Sequence, residues 1–187
     1  MIRIAIFASG RGSNAKNLIT SEIPGASIVL LITDRLCNAL SIGSEHAIET
    51  KTFIPKSYRS REEMEKDMAK TLEAHNIHLI VLAGYMRLFS PWFIHRFRGR
   101  IINIHPSLLP LYKGKHAMEQ ALLDGKKLYG VTVHHVNEGM DEGEVIAQRR
   151  VYYDGEVLEE LEQLIHETEY ELYPQVIRTI CKEGKIG

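Results

Sequence analysis

Residues that staple small or secreted folds are scarce in this sequence. It holds only two cysteines, Cys37 and Cys181, with no metal-ligand or redox spacing between them. That argues against a disulfide framework and fits a reducing, cytoplasmic setting. Charge of one sign is also lacking: 23 basic against 24 acidic residues leave a net charge of -1. Such a balance offers no field for nucleic acid or a lipid surface. No apolar run reaches the roughly 20 residues that a membrane-spanning helix needs. The N-terminal apolar run is short and passes straight into Ser9-Gly10-Arg11-Gly12, so it reads as a strand and not as a signal peptide. Repeats, linkers and low-complexity segments are missing too.

What the chain does have is apolar runs separated by glycine-rich turns. Its 187 residues are 44% hydrophobic and 25% charged, enough to bury a core as one domain over residues 1–187. Residues 2–8, 27–33, 78–83 and 100–104 read as buried strands, with Thr52-Phe53-Ile54 a short one before Pro55. Residues 130–136 and 144–152 make two more, with alternating character in the first. Helical patterns lie between them, at about 15–21, 40–49, 60–75 and 91–99, in a segment ending at Leu123, and from 156 to 181. Ser60 with Glu63 matches a capping box, and Ser90 caps a helix that begins at Pro91. Pro174 should kink or restart the last helix. Strands alternating with helices predict an α/β fold, a Rossmann-like open, mainly parallel sheet with helices on both faces.

Several positions invite two readings. Gly10-Arg11-Gly12-Ser13-Asn14, between a strand and a helix, is either a tight turn or a phosphate cradle at a helix N-terminus, with Ser13 or Asn14 as N-cap. Gly10, Gly12 and Ala15 also fit a relaxed dinucleotide fingerprint, with Asp34 at the next strand end, so a non-catalytic dinucleotide-binding module is one reading of this half. Arg61 stands in the first turn of a helix, where the dipole disfavours a cation. It is either an ordinary solvated arginine or aimed at an anionic ligand. His134 and His135 are adjacent and face opposite sides, which argues against one shared metal and favours a structural or surface role. Asp141, between Gly139 and Gly143, is by default a solvated turn residue.

The densest stretch is Ile101-Ile102-Asn103-Ile104-His105-Pro106-Ser107-Leu108-Leu109-Pro110. Pro106 ends the strand, and Asn103 and His105, two apart, share a face at its carboxyl end. Open α/β sheets bind their ligands at such ends. An amide donor beside an imidazole suits chemistry in which charge develops and a proton moves.

Together, Gly-Ser-Asn at 12–14, Leu-Ala-Gly-Tyr-Met-Arg at 82–87, Asn-Ile-His-Pro-Ser-Leu-Leu-Pro at 103–110 and Gly-Val-Thr-Val-His with Asp-Glu-Gly downstream at 130–143 resemble the folate-dependent formyltransferases. The resemblance runs essentially from end to end, and the short length and the tail Glu-Tyr-Glu-Leu-Tyr-Pro at 169–174 point to the branch that acts on glycinamide ribonucleotide. It implies 10-formyltetrahydrofolate as cosubstrate, no metal, and Asn103, His105 and Asp141 as the catalytic trio. It implies a nucleotide-binding half at 1–100 and a folate and catalytic half at 101–187. By the same resemblance Gly12, Ser13, Asn14, His166 and Glu169 hold the nucleotide. Arg61, Met86, Arg87, Leu88, Phe89, Asn103, Asn137, Glu138, Gly139, Met140 and Asp141 line the folate site. His166 stands where some relatives carry lysine, and Lys113-Gly114-Lys115-His116 departs from the usual Pro-Gly. The expected partners are small-molecule substrates, not nucleic acid or membrane, for a monomer or homodimer. The alternatives are another folate-dependent formyl transferase or hydrolase, or the dinucleotide-binding module.

Overall fold

The computed structural model describes residues 1–184. Five parallel strands form first: β1 (Ile2–Ala8), β2 (Ala26–Thr33), β3 (Glu49–Thr52), β4 (Leu79–Leu82) and β5 (Ile101–His105). β6 (Leu128–His135) then runs antiparallel to β5, and β7 (Val145–Tyr152) antiparallel to β6. The seven strands lie in the order β3-β2-β1-β4-β5-β6-β7. The chain winds outward from β1 to β3, then crosses over to β4 and winds the other way. The switch between β1 and β4 opens a crevice at their carboxyl ends, where such sheets bind ligands.

Helices cover both faces, as the apolar runs on both sides of the strands require. On one face α1 (Ser13–Thr20), α2 (Ala39–Glu45), α5 (Ala117–Leu123) and α6 (Leu158–Glu183) pack. Their core joins Leu18, Ala39, Ala121, Leu161, Ile165 and Tyr173 to Ile4, Ile6, Val81, Ile102 and Val133. On the other face α3 (Arg61–Ala74) and α4 (Pro91–Arg96) cover Ala5, Phe7, Ile80, Leu82 and Ile101. An aromatic column runs through that second core, with Phe89 stacked on Phe93 at 4.3 Å between ring centroids. Among the described residues no helix is long and apolar enough to cross a membrane.

Three local expectations need correction. β3 is Glu49–Thr52, not Thr52–Ile54. It lies at the sheet edge with its polar residues alternating between exposed and half-buried, so no apolar run marks it; Phe53 follows it into the core. The N-cap of α1 is Gly12, in the left-handed region at φ 77°, with no side-chain cap from Ser13 or Asn14. A Cβ at Gly12 would sit 2.8 Å from Ile42 Cδ1 and 2.9 Å from Ala39 Cβ, so packing against α2 also demands glycine. α6 does not restart at Pro174 and runs unbroken through it. The caps at Ser60 and Ser90 form as expected, accepting from Glu63 N–H at 3.1 Å and Phe93 N–H at 3.3 Å.

Candidate active site

The register of β5 against β6 gathers a cluster of polar side chains at one strand end. Asn103 lies opposite His134, and His105 opposite Thr132, all on the α3–α4 face of the sheet. His105 and His134 are buried. His105 Nε2 lies 2.8 Å from the Tyr112 carbonyl oxygen. A carbonyl only accepts, so Nε2 carries a proton and donates it. His105 Nδ1 faces Asp141 Oδ2 at 3.4 Å, longer than an ordinary N–H···O bond. His134 Nδ1 lies 2.8 Å from the His135 carbonyl, which likewise makes it the donor. His134 Nε2 is 3.3 Å from Asn103 Nδ2 and, in the neutral ring, accepts from it. The second Asn103 N–H is then left for a ligand.

Asp141 reaches this cluster from the loop between β6 and β7, not from a solvated turn. It adopts φ 53°, and its Oδ2 accepts from Gly114 N–H at 2.8 Å while Oδ1 lies 3.5 Å from His134 Nε2. Burial alone would raise its carboxyl; a proton on His134 Nε2, which donates to Asp141 when that ring is charged, the Gly114 N–H and the charge of His105 outweigh burial and hold it below the usual carboxylate value. Gly143 lets the loop turn back: a Cβ there would lie 1.6 Å from the His135 carbonyl oxygen. Below His105, buried Thr132 donates to Ser107 O at 2.7 Å and accepts from Leu109 N–H and Gln148 Nε2, bracing the turn after β5.

His134 therefore joins the candidate site, although the sequence pattern alone did not single it out. The adjacent His134-His135 pair on its own favours a structural or surface role over a shared metal, and His135 does face the other way. The available signal was the two-residue period Thr132, His134 on a strand pairing with the one that carries Asn103 and His105. Among the described residues no group of three or more histidine, cysteine or acidic side chains is placed to hold a metal.

Three of the residues expected to hold the nucleotide, Asn14, His166 and Glu169, also meet. Asn14, at the start of α1, donates from Nδ2 to Glu169 Oε2 at 2.9 Å, and His166 Nδ1 reaches the same oxygen at 3.0 Å. Glu169 is buried, so its carboxylate takes both partners away from water. That bond raises the His166 pKa against the opposing effect of burial. Among the described residues Asn14 Oδ1 is buried with no hydrogen-bond partner. It is an acceptor left for a donor outside the chain.

The residues expected on the folate side split between two walls. After β4, Met86 and Leu88 expose their side chains, whereas Phe89 turns into the aromatic column and offers only its backbone. Asn137 and Glu138, with Ile94, His95, Arg98 and His135, line a groove of about 740 Å³ between α4 and the β6–β7 loop. His95 Nε2 and Glu138 Oε1 meet at 2.9 Å. Met140 is exposed, with Gly139 beside it. Arg61 lies 3.9 Å from buried Glu65, which accepts from the backbone and hydroxyl of Ser90 at the end of the 86–89 wall.

Asp34 is not poised for a ribose. Its buried carboxylate binds Arg35 through two contacts of 3.1 and 3.0 Å and Arg87 Nε at 2.6 Å. Burial alone would raise this carboxyl, but bonds from Arg35, Ser9 and Arg87 outweigh it and hold it low. Ser9 in turn accepts from Met86 N–H at 3.0 Å. The acid of the apparent dinucleotide fingerprint is thus spent on fixing the loop after β4.

These geometries agree with what the chain is similar to. A family model described as formyl transferase matches residues 2–177. The phosphoribosylglycinamide formyltransferase of Bacillus subtilis is 41% identical over 185 residues, covering 96% of this chain and 95% of that protein. The enzyme of the same name from Haemophilus influenzae is 36% identical, covering 100% and 90%. Among solved structures, the phosphoribosylglycinamide formyltransferase of Bacillus halodurans superposes with a TM-score of 0.92 at 41% identity, covering 98% of this chain and 97% of that one. The glycinamide ribonucleotide transformylase 1 of Geobacillus kaustophilus also gives 0.92 at 41% identity, with both chains fully covered. With the motif residues gathered at the carboxyl end of β5 and the match running nearly end to end, the chain belongs to the formyl transferase family.

Proposed function

We propose that this chain transfers the formyl group of 10-formyltetrahydrofolate to the amine of glycinamide ribonucleotide, in the cytoplasm, as a step of purine biosynthesis. The names of the relatives support the reaction. The observation that carries it is the meeting of Asn103, His105, Asp141 and His134, from three separate segments, at one strand end.

The amine nitrogen attacks the formyl carbon, and the carbonyl electrons move onto oxygen to give a tetrahedral oxyanion. Asn103 presents its free N–H to that oxygen, because its other N–H is held by His134. One donor fixed where the charge develops is worth about 10²–10³ in rate. The His105 ring is pinned through Nε2, so Nδ1 is the nitrogen that can hold or pass a proton. The attacking amine loses a proton and the departing folate nitrogen gains one when the carbon–nitrogen bond breaks. Asp141 faces Nδ1 and keeps the ring aligned during this exchange. Gly12, Ser13 and the α1 N-terminus hold the phosphate, with His166 nearby, while Asn14 Oδ1 and Glu169 take donors from the glycinamide part. Met86, Leu88 and the backbones of Arg87 and Phe89 form one wall of the folate site. Asn137, Glu138, Gly139 and Met140 form the other, and Arg61 faces the anionic end of the folate.

A spectrophotometric assay of folate release with glycinamide ribonucleotide as acceptor tests this reading. Turnover is expected with that acceptor. No turnover there, together with turnover on another amine or on water, would replace it with a different folate-dependent transferase or a hydrolase.

A further inference from the structure

Pro174 has no N–H, so the Tyr170 carbonyl, four residues earlier on α6, has no helical donor from that position. The ring of a proline inside a helix also pushes this carbonyl away from the helix axis. In this fold the carbonyl finds a donor within the chain. Asn17 Nδ2, from the middle of α1, donates to it at 2.9 Å. Asn17 lies one turn after Asn14 on α1, and Tyr170 is next to Glu169 on α6. One turn along the same seam, Asn14 Nδ2 binds Glu169 Oε2. At the far end Arg178 Nε donates to Glu22 O at 2.8 Å, beyond α1.

We infer that Asn17 and Pro174 act together as a positioning pair for the nucleotide site: the proline frees the Tyr170 carbonyl, and Asn17 uses it to lock α1 against α6. The lock sets the distance between the α1 N-terminus, with Gly12, Ser13 and Asn14, and the α6 turn that carries His166 and Glu169. Asn17 touches no substrate in this arrangement; it acts through the relative placement of two helices. The inference rests on the proposed assignment of the phosphate and glycinamide groups to these two elements.

The test measures kcat and both KM values for full-length Asn17→Ala, Pro174→Ala and the double variant. Alanine at 17 improves the intrinsic helix propensity of α1, so weakened binding cannot come from unwinding of that helix. Alanine at 174 returns a helical N–H to the Tyr170 carbonyl and draws it back from Asn17. Each single variant should raise the KM for glycinamide ribonucleotide about tenfold, the worth of one well-placed hydrogen bond, with kcat and the folate KM within about twofold of wild type. The double variant should bind no worse than either single one, because both break the same link. An unchanged ribonucleotide KM in Asn17→Ala overturns the inference, as does an equal rise in both KM values, which marks general loosening. Multiplied effects in the double variant also overturn it. If Pro174→Ala does not fold, the split between the two KM values in Asn17→Ala decides alone. Failure of the proposed function would differ from all of these, since the wild-type chain would then not turn over glycinamide ribonucleotide.

Discussion

His105 and His134 sit on neighbouring strands, both buried, and backbone carbonyls assign their nitrogens opposite duties. Tyr112 O takes the Nε2 proton of His105 and leaves Nδ1 toward Asp141, while His135 O takes the Nδ1 proton of His134 and leaves Nε2 toward Asn103. Removing the proposed proton carrier, His105, and the proposed amide donor, Asn103, should therefore act on the chemical step. His105→Ala is expected to lower kcat by ~10²–10⁴ and Asn103→Ala by ~10²–10³, with circular dichroism unchanged. Near-wild-type turnover in either variant would contradict the assignment. His134 would act through Asn103, which it contacts at 3.3 Å. His134→Ala leaves the Asn103 amide free to turn and the His135 carbonyl without its partner. Kinetics should show kcat reduced by roughly tenfold or more with both KM values little changed, and calorimetry a stability loss of about 1–3 kcal/mol. A drop in stability alone, with kcat intact, would reduce His134 to a packing residue.

At the scale of elements, α6 presents His166 and Glu169 one turn apart to Asn14, the group proposed to hold the nucleotide. The Glu169 bond raises the His166 pKa, so the imidazolium is fully present below its ordinary value near 6.5 and is lost as pH rises through the higher folded value. Attraction to the ribonucleotide phosphate should follow the same course. The KM for glycinamide ribonucleotide is expected to rise with pH above neutrality, and His166→Gln should remove most of that rise; an identical pH profile in the variant would show that another group governs it. Much of this element was legible in advance, because apolar residues three and four apart mark the buried stripe and place His166 and Glu169 on one face. Its continuity through Pro174 was not legible, since the donor that takes the freed Tyr170 carbonyl comes from Asn17, 153 residues before Tyr170 in sequence. β3 hid for a related reason: an edge strand of Glu, Thr, Lys and Thr carries no apolar period. The β5 stretch was the clearest, because a two-residue spacing and a following proline fix both the face and the end of a strand. His134 needed the β5–β6 register, a pairing that no local pattern in its own segment specifies. The N-cap differed because the Asn14 side chain is committed to Glu169, leaving Gly12 to take the turn.

Across the whole molecule, two buried cores lie on opposite faces of one sheet, and the site loops above them are tied down by carboxylates. Asp34 fastens Arg35 and Arg87 and, through Ser9, the Met86 backbone; Asp141 fastens the β6–β7 loop to Gly114 and faces both histidines. Both acids have folded pKa values below the ordinary 3.8. A depressed carboxyl binds fewer protons folded than unfolded around that value. Its stability is thus fully present above the ordinary value and is lost as pH falls through the folded one. The contribution of these two acids should accordingly stay flat from neutral pH down to about pH 5 and then be lost steeply in acid. Asp34→Asn should lower stability at neutral pH by about 1–3 kcal/mol, since an amide cannot hold two guanidinium groups as a carboxylate does. In that variant the further loss between pH 5 and pH 3 should be smaller than in wild type, because one of the titrating groups is gone. The loosened 84–87 loop should also raise the folate KM while leaving the ribonucleotide KM alone, which separates this clamp from the α1–α6 lock. Denaturant melts across that pH range, paired with kinetics at neutral pH, check both halves. A variant that keeps the wild-type acid slope and the wild-type folate KM would mean that Asp34 only fills space beneath the loop.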